Sequence, residues 1–390
     1  MLALLLTTLL VPLDHANPAA GRAELYYEFG GAVDREKPFV FVIADGQQFY
    51  VRKGAAAGLQ KDLFGDAVNV VAIVGRGATD AFIQRALDAD GRPDWKKAWQ
   101  LFNSSQWIED IEAVRREVVG KNGTISLYGR SGGAYLAHQY LQRHGEHVAR
   151  AFTTSPVQPC LNRQLAISID DFWNELAPDT RTTLTRVLAK RPRDRQSILV
   201  ALQRQHFFIP ADRLAEERAA LIRALDAGDE ERFAAAKKEY QVDEIAELNA
   251  KPEGMAQRIR ALEFFYPTGE FSKVGGEAVY PLLESQYTLL QPLLALVRDG
   301  AIPAPRCEQT SSHRVPAEIL VVAARYDDAV DYRTSIALAA SYPNAALFIA
   351  DDNHVFTRMN EAGAMQQLQR TFLREGLRGA QFSERFRWRE

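Results

Sequence analysis

Short apolar runs rich in β-branched residues punctuate the first 155 residues and return after residue 315, each bounded by turn-forming residues. They cover 23–29 (AELYYEF), 39–44 (FVFVIA), 68–74 (VNVVAIV), 124–128 (TISLY) and 149–154, then 317–324 (AEILVVAA) and 345–350 (AALFIA). Such runs predict strands. Being nearly continuous rather than alternating, they suit strands covered on both faces, as in a parallel sheet. Helical spacing of apolar residues predicts helices over 105–119, 132–144, 332–342 and 362–375. Strands alternating with helices give the fold class, α/β: a mostly parallel sheet with helices on both faces and right-handed crossovers.

The interval after residue 156 has a different pattern. Charged, Ala- and Leu-rich stretches such as 211–227 and 230–248 carry helical spacing with few strand-like runs. The division that follows is 1–156 for the N-terminal part of the sheet domain, 157–314 for an inserted helical cap and 315–390 for its C-terminal part. The charged face over 226–238 reads as a solvated helix surface. The chain opens on an apolar stretch, residues 1–10 (MLALLLTTLL), far short of the roughly 20 residues needed to span a bilayer. It predicts an edge strand running into Val11-Pro12-Leu13. A cleaved signal segment is the alternative, lacking the expected Lys/Arg start but followed by small residues Ala19 and Ala20.

The candidate chemistry begins at Gly129-Arg130-Ser131-Gly132-Gly133, a G-x-S-x-G pattern between the strand TISLY and the helix AYLAHQYLQRH. In that strand–turn–helix setting the glycines remove side chains where strand and helix nearly collide, and the serine sits exposed on a sharp turn. The bland alternative is a glycine-rich packing turn. The backbone N–H of Gly132 would face a developing oxyanion near the positive end of the helix. A second donor is expected from the loop after FVFVIA, at Gly46 or Gln47.

A serine needs a histidine to take its proton and a carboxylate to orient that histidine. Of the seven histidines, His354 follows the last strand-like run, where a loop can carry it over the sheet's C-terminal edge. His138, His144 and His147 fall on or just after the helix that follows the serine and read as packing or surface residues. His313 precedes a strand, and His15 and His206 have no supporting context. Asp327 ends the run AEILVVAARY and is the expected acid, with Asp328 and Asp331 as alternatives. Asp351 and Asp352 read as loop or capping residues. The order Ser131, Asp327, His354 is that of α/β-hydrolases.

Further motifs bring in a family. Asn103-Ser104 followed by Asp110-Ile111-Glu112 and Arg115 resembles the N-T…D-I-E-x-L-R stretch of proline iminopeptidases and related α/β-hydrolase aminopeptidases. Val11-Pro12-Leu13-Asp14 with Asn17-Pro18 is similar to the V-P-L-D…P opening of their tripeptidyl-aminopeptidase relatives. Arg325-Tyr326-Asp327 is similar to their G-R-Y-D motif, with Ala324 in the glycine position. The resemblance spans both sheet halves and implies an α/β-hydrolase fold, a helical cap after the sixth strand, and an aminopeptidase acting through an acyl-enzyme on N-terminal peptide bonds. Departures mark a divergent branch. Ala44-Asp45-Gly46-Gln47-Gln48 replaces H-G-G-P-G, only Arg76-Gly77 remains of D-x-R-G-x-G-x-S, and Arg130 and Gly132 flank the serine. A small-ester carboxylesterase is the alternative, and Asp45 beside the oxyanion site raises a non-catalytic binding protein as another. In the family, cap carboxylates read the substrate amine. Glu263 and Glu270, set among aromatics, are candidates here, against a plain reading as surface acids.

Composition narrows the partners. Lys+Arg 47 against Asp+Glu 50 gives a net charge of −3, with no basic surplus for nucleic acid. The expected partner is a small-molecule or peptide substrate, with no stable membrane insertion and an oligomeric state that the sequence does not reveal. No H-E-x-x-H, paired-cysteine zinc spacing, P-loop or G-x-G-x-x-G after a strand is present, so neither metal nor cofactor is expected. The two cysteines, Cys160 and Cys307, flank the insertion, whose ends must lie close in space. Unpaired thiols in a cytoplasmic protein are the expectation; a bridge in an exported protein is the alternative.

Overall fold

The computed structural model describes residues 6–45, 51–170, 176–276, 279–307, 315–380 and 382. Eight strands form one sheet: β1 (Leu6–Pro12), β2 (Arg22–Phe29), β3 (Phe39–Ile43), β4 (Asn69–Ile73), β5 (Ile125–Arg130), β6 (Val148–Thr154), β7 (Glu318–Ala324) and β8 (Ala345–Ala350). Their spatial order is β1-β2-β4-β3-β5-β6-β7-β8. β1 and β2 form an antiparallel edge, β2 meets β4 antiparallel, and every later pairing is parallel. Residues 6–12 of the apolar opening are thus an edge strand. Val11 is buried there, while Leu10 is 55% exposed.

Side-chain alternation gives the central strands two covered faces, whereas β2 alternates buried and exposed positions. Val40 and Val42, Val70 and Ala72, Tyr128, and Leu320 and Val322 face one way. Phe41 and Ile43, Val71 and Ile73, Leu127, and Ile319 and Val321 face the other. The principal helices are α1 (Trp95–Phe102), α2 (Ser104–Val119), α3 (Gly132–His144), α4 (Pro159–Gln164), α5 (Pro178–Lys190), α6 (Arg195–Arg204), α7 (Ala211–Ala227), α8 (Glu230–Glu239), α9 (Val242–Ala250), α10 (Met255–Phe265), α11 (Pro281–Arg298), α12 (Tyr332–Ala340) and α13 (Ala364–Glu375). Met365, Leu368 and Phe372 of α13 cover the first face; α1, α2 and α3 cover the second. A fully buried Val, Leu or Phe stabilises by roughly 1.5–3 kcal/mol, which explains the apolar continuity of the runs.

The helical interval divides between two cores. Residues from Leu176 to Val242, with Val279, form a core of their own around Leu184, Leu199, Leu221 and Phe233. Met255, Ile259 and Leu262 of α10 and Leu290 and Leu293 of α11 join the core beneath the sheet. The helical spacing over 230–248 is interrupted between α8 and α9, where Gln241 adopts a left-handed φ of 54° and Tyr240 turns into the cap core. Among the described residues, no helix is long and apolar enough to cross a membrane.

Because β6 and β7 are sheet neighbours, the insertion leaves and returns at adjacent points. Cys160 in the first turn of α4 and Cys307 beyond α11 are joined by a disulfide, their Cα atoms 5.4 Å apart across 147 residues of sequence. This corrects the expectation of unpaired thiols. His138 is a second brace: its ring nitrogens lie 2.9 Å from Tyr342 Oη and 3.1 Å from Thr153 Oγ1, joining α3 to β6 and to the end of α12. Burial pushes its pKa down to about 3.

Two stability predictions follow from these braces. Denatured, unreduced protein is expected to give no reactive thiol and reduced protein two. In the chain-entropy model closing so long a loop contributes about 5 kcal/mol, with real bridges often giving less, so reduction should lower the Tm. For His138, the folded pKa lies below the ordinary value of about 6.5, so the unfolded chain takes up the proton first. Its contribution is intact above about pH 6.5 and is lost as pH falls toward 3; at pH 5 the loss is about 2 kcal/mol. Urea midpoints at pH 7 and 5 should converge in His138→Gln relative to the parent.

Candidate active site

Ser131 stands between β5 and α3 with φ 49° and ψ −116°. A left-handed φ at a residue with a side chain costs on the order of 1–3 kcal/mol and persists only where the surroundings impose it. Here the Ser131 N–H donates to Thr154 O at 2.8 Å, and its carbonyl accepts from Tyr135 N–H at 3.1 Å. A Cβ on Gly129 would lie 2.7 Å from Gly133 O and 2.8 Å from Ala134 N, so strand and helix approach too closely for any side chain. The sheet reverses its order around β3, which lies between β4 and β5; ligand crevices of α/β sheets form at such points, beyond the strands' carboxyl ends. β3 leads there to Asp45 and β5 to Ser131.

Gly132, read from the sequence as an oxyanion donor, opens α3 with no room above its Cα. A Cβ would meet Asp45 Oδ2 at 1.8 Å and Phe264 Cζ at 2.8 Å. Asp45 is 1% exposed. The other proposed donors, Gly46 and Gln47, lie outside the described residues.

The structure brings Asp327 and His354 together. Nδ1 of His354 lies 2.9 Å from Asp327 Oδ1 and 2.8 Å from Oδ2, with both side chains buried. Asp327 Oδ1 also accepts the N–H groups of Ala329 and Val330, each at 2.9 Å, so the acid is fixed by its own turn. The histidine loop is fixed likewise. Asp352 accepts from Asn353 N and Met359 N at 2.9 Å, and Tyr326 N donates across to Asp352 O at 3.1 Å. Among the described residues no hydrogen bond joins Ser131 Oγ to His354 Nε2; the serine occupies the same sheet edge from a different strand.

The other acids have separate partners. Asp328 pairs with Arg218 of α7 at 2.7 Å, Asp331 caps α12, and Asp351 meets Arg325 at 2.6 Å. Burial raises the Asp328 pKa, and Arg218 opposes the rise. The cap glutamates are engaged too. Glu263 Oε1 accepts Ser104 N–H at 2.8 Å and its Oε2 pairs with Arg260; Glu270 accepts Ile169 N–H at 3.0 Å and pairs with Lys273. Both are buried, so neither is a surface acid.

Three participants were not legible in the sequence. His206 and Phe207 cover the His354 ring, with centroids 5.8 Å and 5.5 Å from it, and Arg218 reaches the acid turn. Their only sequence signal is position in a cap stretch, and that does not say which way a stretch faces. His15 was also passed over. Its Nε2 lies 2.8 Å from Asp110, inside the brace around Arg76.

Comparison with known proteins agrees with this architecture. Residues 81–356 match the family described as alpha/beta hydrolase fold, and the chain belongs to that family. No curated protein matches it. Among solved structures, an esterase from Thermogutta terrifontis with malate bound is 14% identical with a TM-score of 0.41, covering 94% of this chain and 98% of that one. A bromoperoxidase from Bacillus anthracis is 14% identical with a TM-score of 0.44, covering 95% and 100%. A meta-cleavage product hydrolase from Pseudomonas fluorescens is also 14% identical, with a TM-score of 0.43 over 89% and 94%. Likeness at this level concerns the fold alone.

The close approach at Gly129 is directly testable. Gly129→Ala forces a methyl against backbone, and overpacking of this kind costs roughly 1–3 kcal/mol. Its denaturant midpoint should fall accordingly, and an unchanged midpoint would remove the argument for the tight turn.

Proposed function

We propose that this chain is a serine hydrolase that transfers an acyl group to Ser131 and then to water. The observation carrying the reading is the buried Asp327–His354 contact on the sheet edge where the strained serine stands. With the Nδ1 proton directed at Asp327, Nε2 is left as the lone pair that can accept the serine proton. Ser131 Oγ would attack the acyl carbon, His354 would return the proton to the leaving group, and water would release the acyl-enzyme by the reverse sequence. Hydrogen bonds of this kind are often long in unliganded sites and tighten when substrate is seated.

Within that class we favour cleavage after a substrate's N-terminal residue. Its support is the likeness of Arg325-Tyr326-Asp327, at the site itself, to the G-R-Y-D motif of the iminopeptidase group. A small carboxylic ester is the second reading, favoured by the engagement of Glu263 and Glu270, which leaves neither cap glutamate without a partner to meet an amine. A binding protein without turnover is favoured by one observation, the Asp45 carboxylate against Gly132, which opposes a developing negative charge. The disulfide supports an oxidising compartment over the cytoplasm.

A serine-directed fluorophosphonate is expected to label the parent protein and not Ser131→Ala; labelling of neither would leave the binding protein. On aminoacyl arylamides and p-nitrophenyl esters, Ser131→Ala should lose at least about 10³-fold in kcat. Turnover of esters with none of free-amine arylamides would overturn the aminopeptidase reading and keep the hydrolase.

A further inference from the structure

One stretch of the cap lands on both loops that carry the acid and the base. After α6, His206 and Phe207 stand nearly edge-on to the His354 ring, at 83° and 76°. Two residues past Phe207, Ile209 O accepts from Asn353 Nδ2 at 3.5 Å. In α7, Asp212 pairs with Arg358 at 3.1 Å on the surface. Arg218 Nη1 then meets Asp328 Oδ2 at 2.7 Å, with the two side chains only 1% and 9% exposed. Of the two ion pairs, the exposed one contributes little, whereas the buried one has strict geometric demands.

The acid turn therefore faces two ways. Asp327 points to His354, and the next residue, Asp328, points to the cap. A carboxylate buried beside another carboxylate is unfavourable without a cation, and Arg218 supplies it. When the cap is seated, the turn is pinned from the cap side and the imidazole is covered by two rings. Any displacement of the cap would take the cation from Asp328 and the cover from His354 together. We propose that Arg218 is a positioning residue that acts through Asp328 on the Asp327–His354 pair, so that seating of the cap and competence of the base are one equilibrium. The proposal rests on the hydrolase reading for its role in catalysis, but the coupling itself is a property of the fold.

Charge gives the coupling a sign. Among the described residues, the charged and titratable groups that meet His354 or the groups against it include Asp327 and Asp328 from the acid turn, His206 and Arg218 from the cap, and Arg204 beside His206 and Phe207. Burial, then His354 and Arg218, holds His206 well below its ordinary pKa, so it adds no compensating charge near neutrality. Removing Arg218 takes away a cation and should favour the imidazolium; removing the Asp328 charge should favour the neutral ring.

The test is proton NMR titration of the His354 ring in the intact protein, assigned with His354→Gln, for the parent, Arg218→Met, Asp328→Asn and the double variant. The midpoint should rise in Arg218→Met, fall in Asp328→Asn and return toward the parent in the double variant. Fluorophosphonate labelling should slow roughly 10- to 100-fold in Arg218→Met, the scale of a misplaced catalytic group, and recover in Arg218→Lys. Asp328→Asn preserves shape, so it keeps the test decisive if Arg218→Met does not fold. Shifts of the same sign, or none, would overturn the proposal, as would slow labelling that Arg218→Lys does not restore. If the parent takes no label but the opposite shifts appear, the hydrolase reading fails and the coupling stands.

Discussion

The approach of β5 to the first turn of α3 is the constraint on which the rest of the site depends. With no space for a Cβ at Gly129, the chain can pass from strand to helix only by putting Ser131 in a left-handed conformation. That conformation survives because β6 lies beside it and Thr154 O takes the Ser131 N–H. The sheet thus fixes the serine's backbone through its own neighbours. The segments after β3, β7 and β8 open on the same carboxyl edge, and the loops after β7 and β8 are braced to each other rather than to the serine.

A second brace explains what the family-like motifs report. Arg76, fully buried, gives both Nε and Nη2 to Asp110 at 2.7 Å, and its remaining donors reach Pro12 O, Leu13 O and Leu101 O. A buried guanidinium must satisfy its donors, so the opening segment, the turn after β4, α1 and α2 are tied through one side chain. Glu112 works similarly. Burial acts against its charge, but hydrogen bonds from Arg115, Tyr140 and Arg116 outweigh it and hold its pKa at about 2. Gly77 belongs to the same brace, since a Cβ there would meet Ala256 at 2.5 Å. These are the residues that resemble the iminopeptidase group, and they hold the scaffold. Likeness at Asp110, Glu112 and Arg76 therefore speaks for the fold more than for the substrate.

This division also accounts for what the sequence made legible. The central strand runs could be read because both their faces are buried, leaving no polar alternation to blur them; β2 has one face exposed and alternates. The elbow could be read because its backbone demands glycine at a fixed spacing, and Asp327 and His354 because each follows a strand whose end was visible. The cap was legible only as helix. Its helices have ordinary amphipathic spacing, which marks a buried side without saying against what, so His206 and Arg218 looked like any cap residues. Glu263 shows the limit from the other direction. An acid among aromatics suggested a ligand, yet its partners, Ser104 N–H and Arg260, lie far away in sequence or one helical turn away, and neither is visible as a motif. The closeness of the two cysteines was legible from the insertion; the expectation of free thiols came instead from the compartment, which the sequence did not fix.

The charges beside the elbow carry this reasoning one step further. Arg260 of α10, fully buried, lies with Nε 3.4 Å from Asp45 O and pairs with Glu263. The Asp45 carboxylate itself packs on Gly132 at the positive end of α3. A helix N-terminus favours an anion there, and so does a backbone N–H. The Asp45 carboxylate lies where that field is favourable to it. The strained serine and the Asp327–His354 pair lie along one sheet edge. Should the proposed acyl transfer take place there, the Asp45 carboxylate would work against the negative charge that develops beside Gly132.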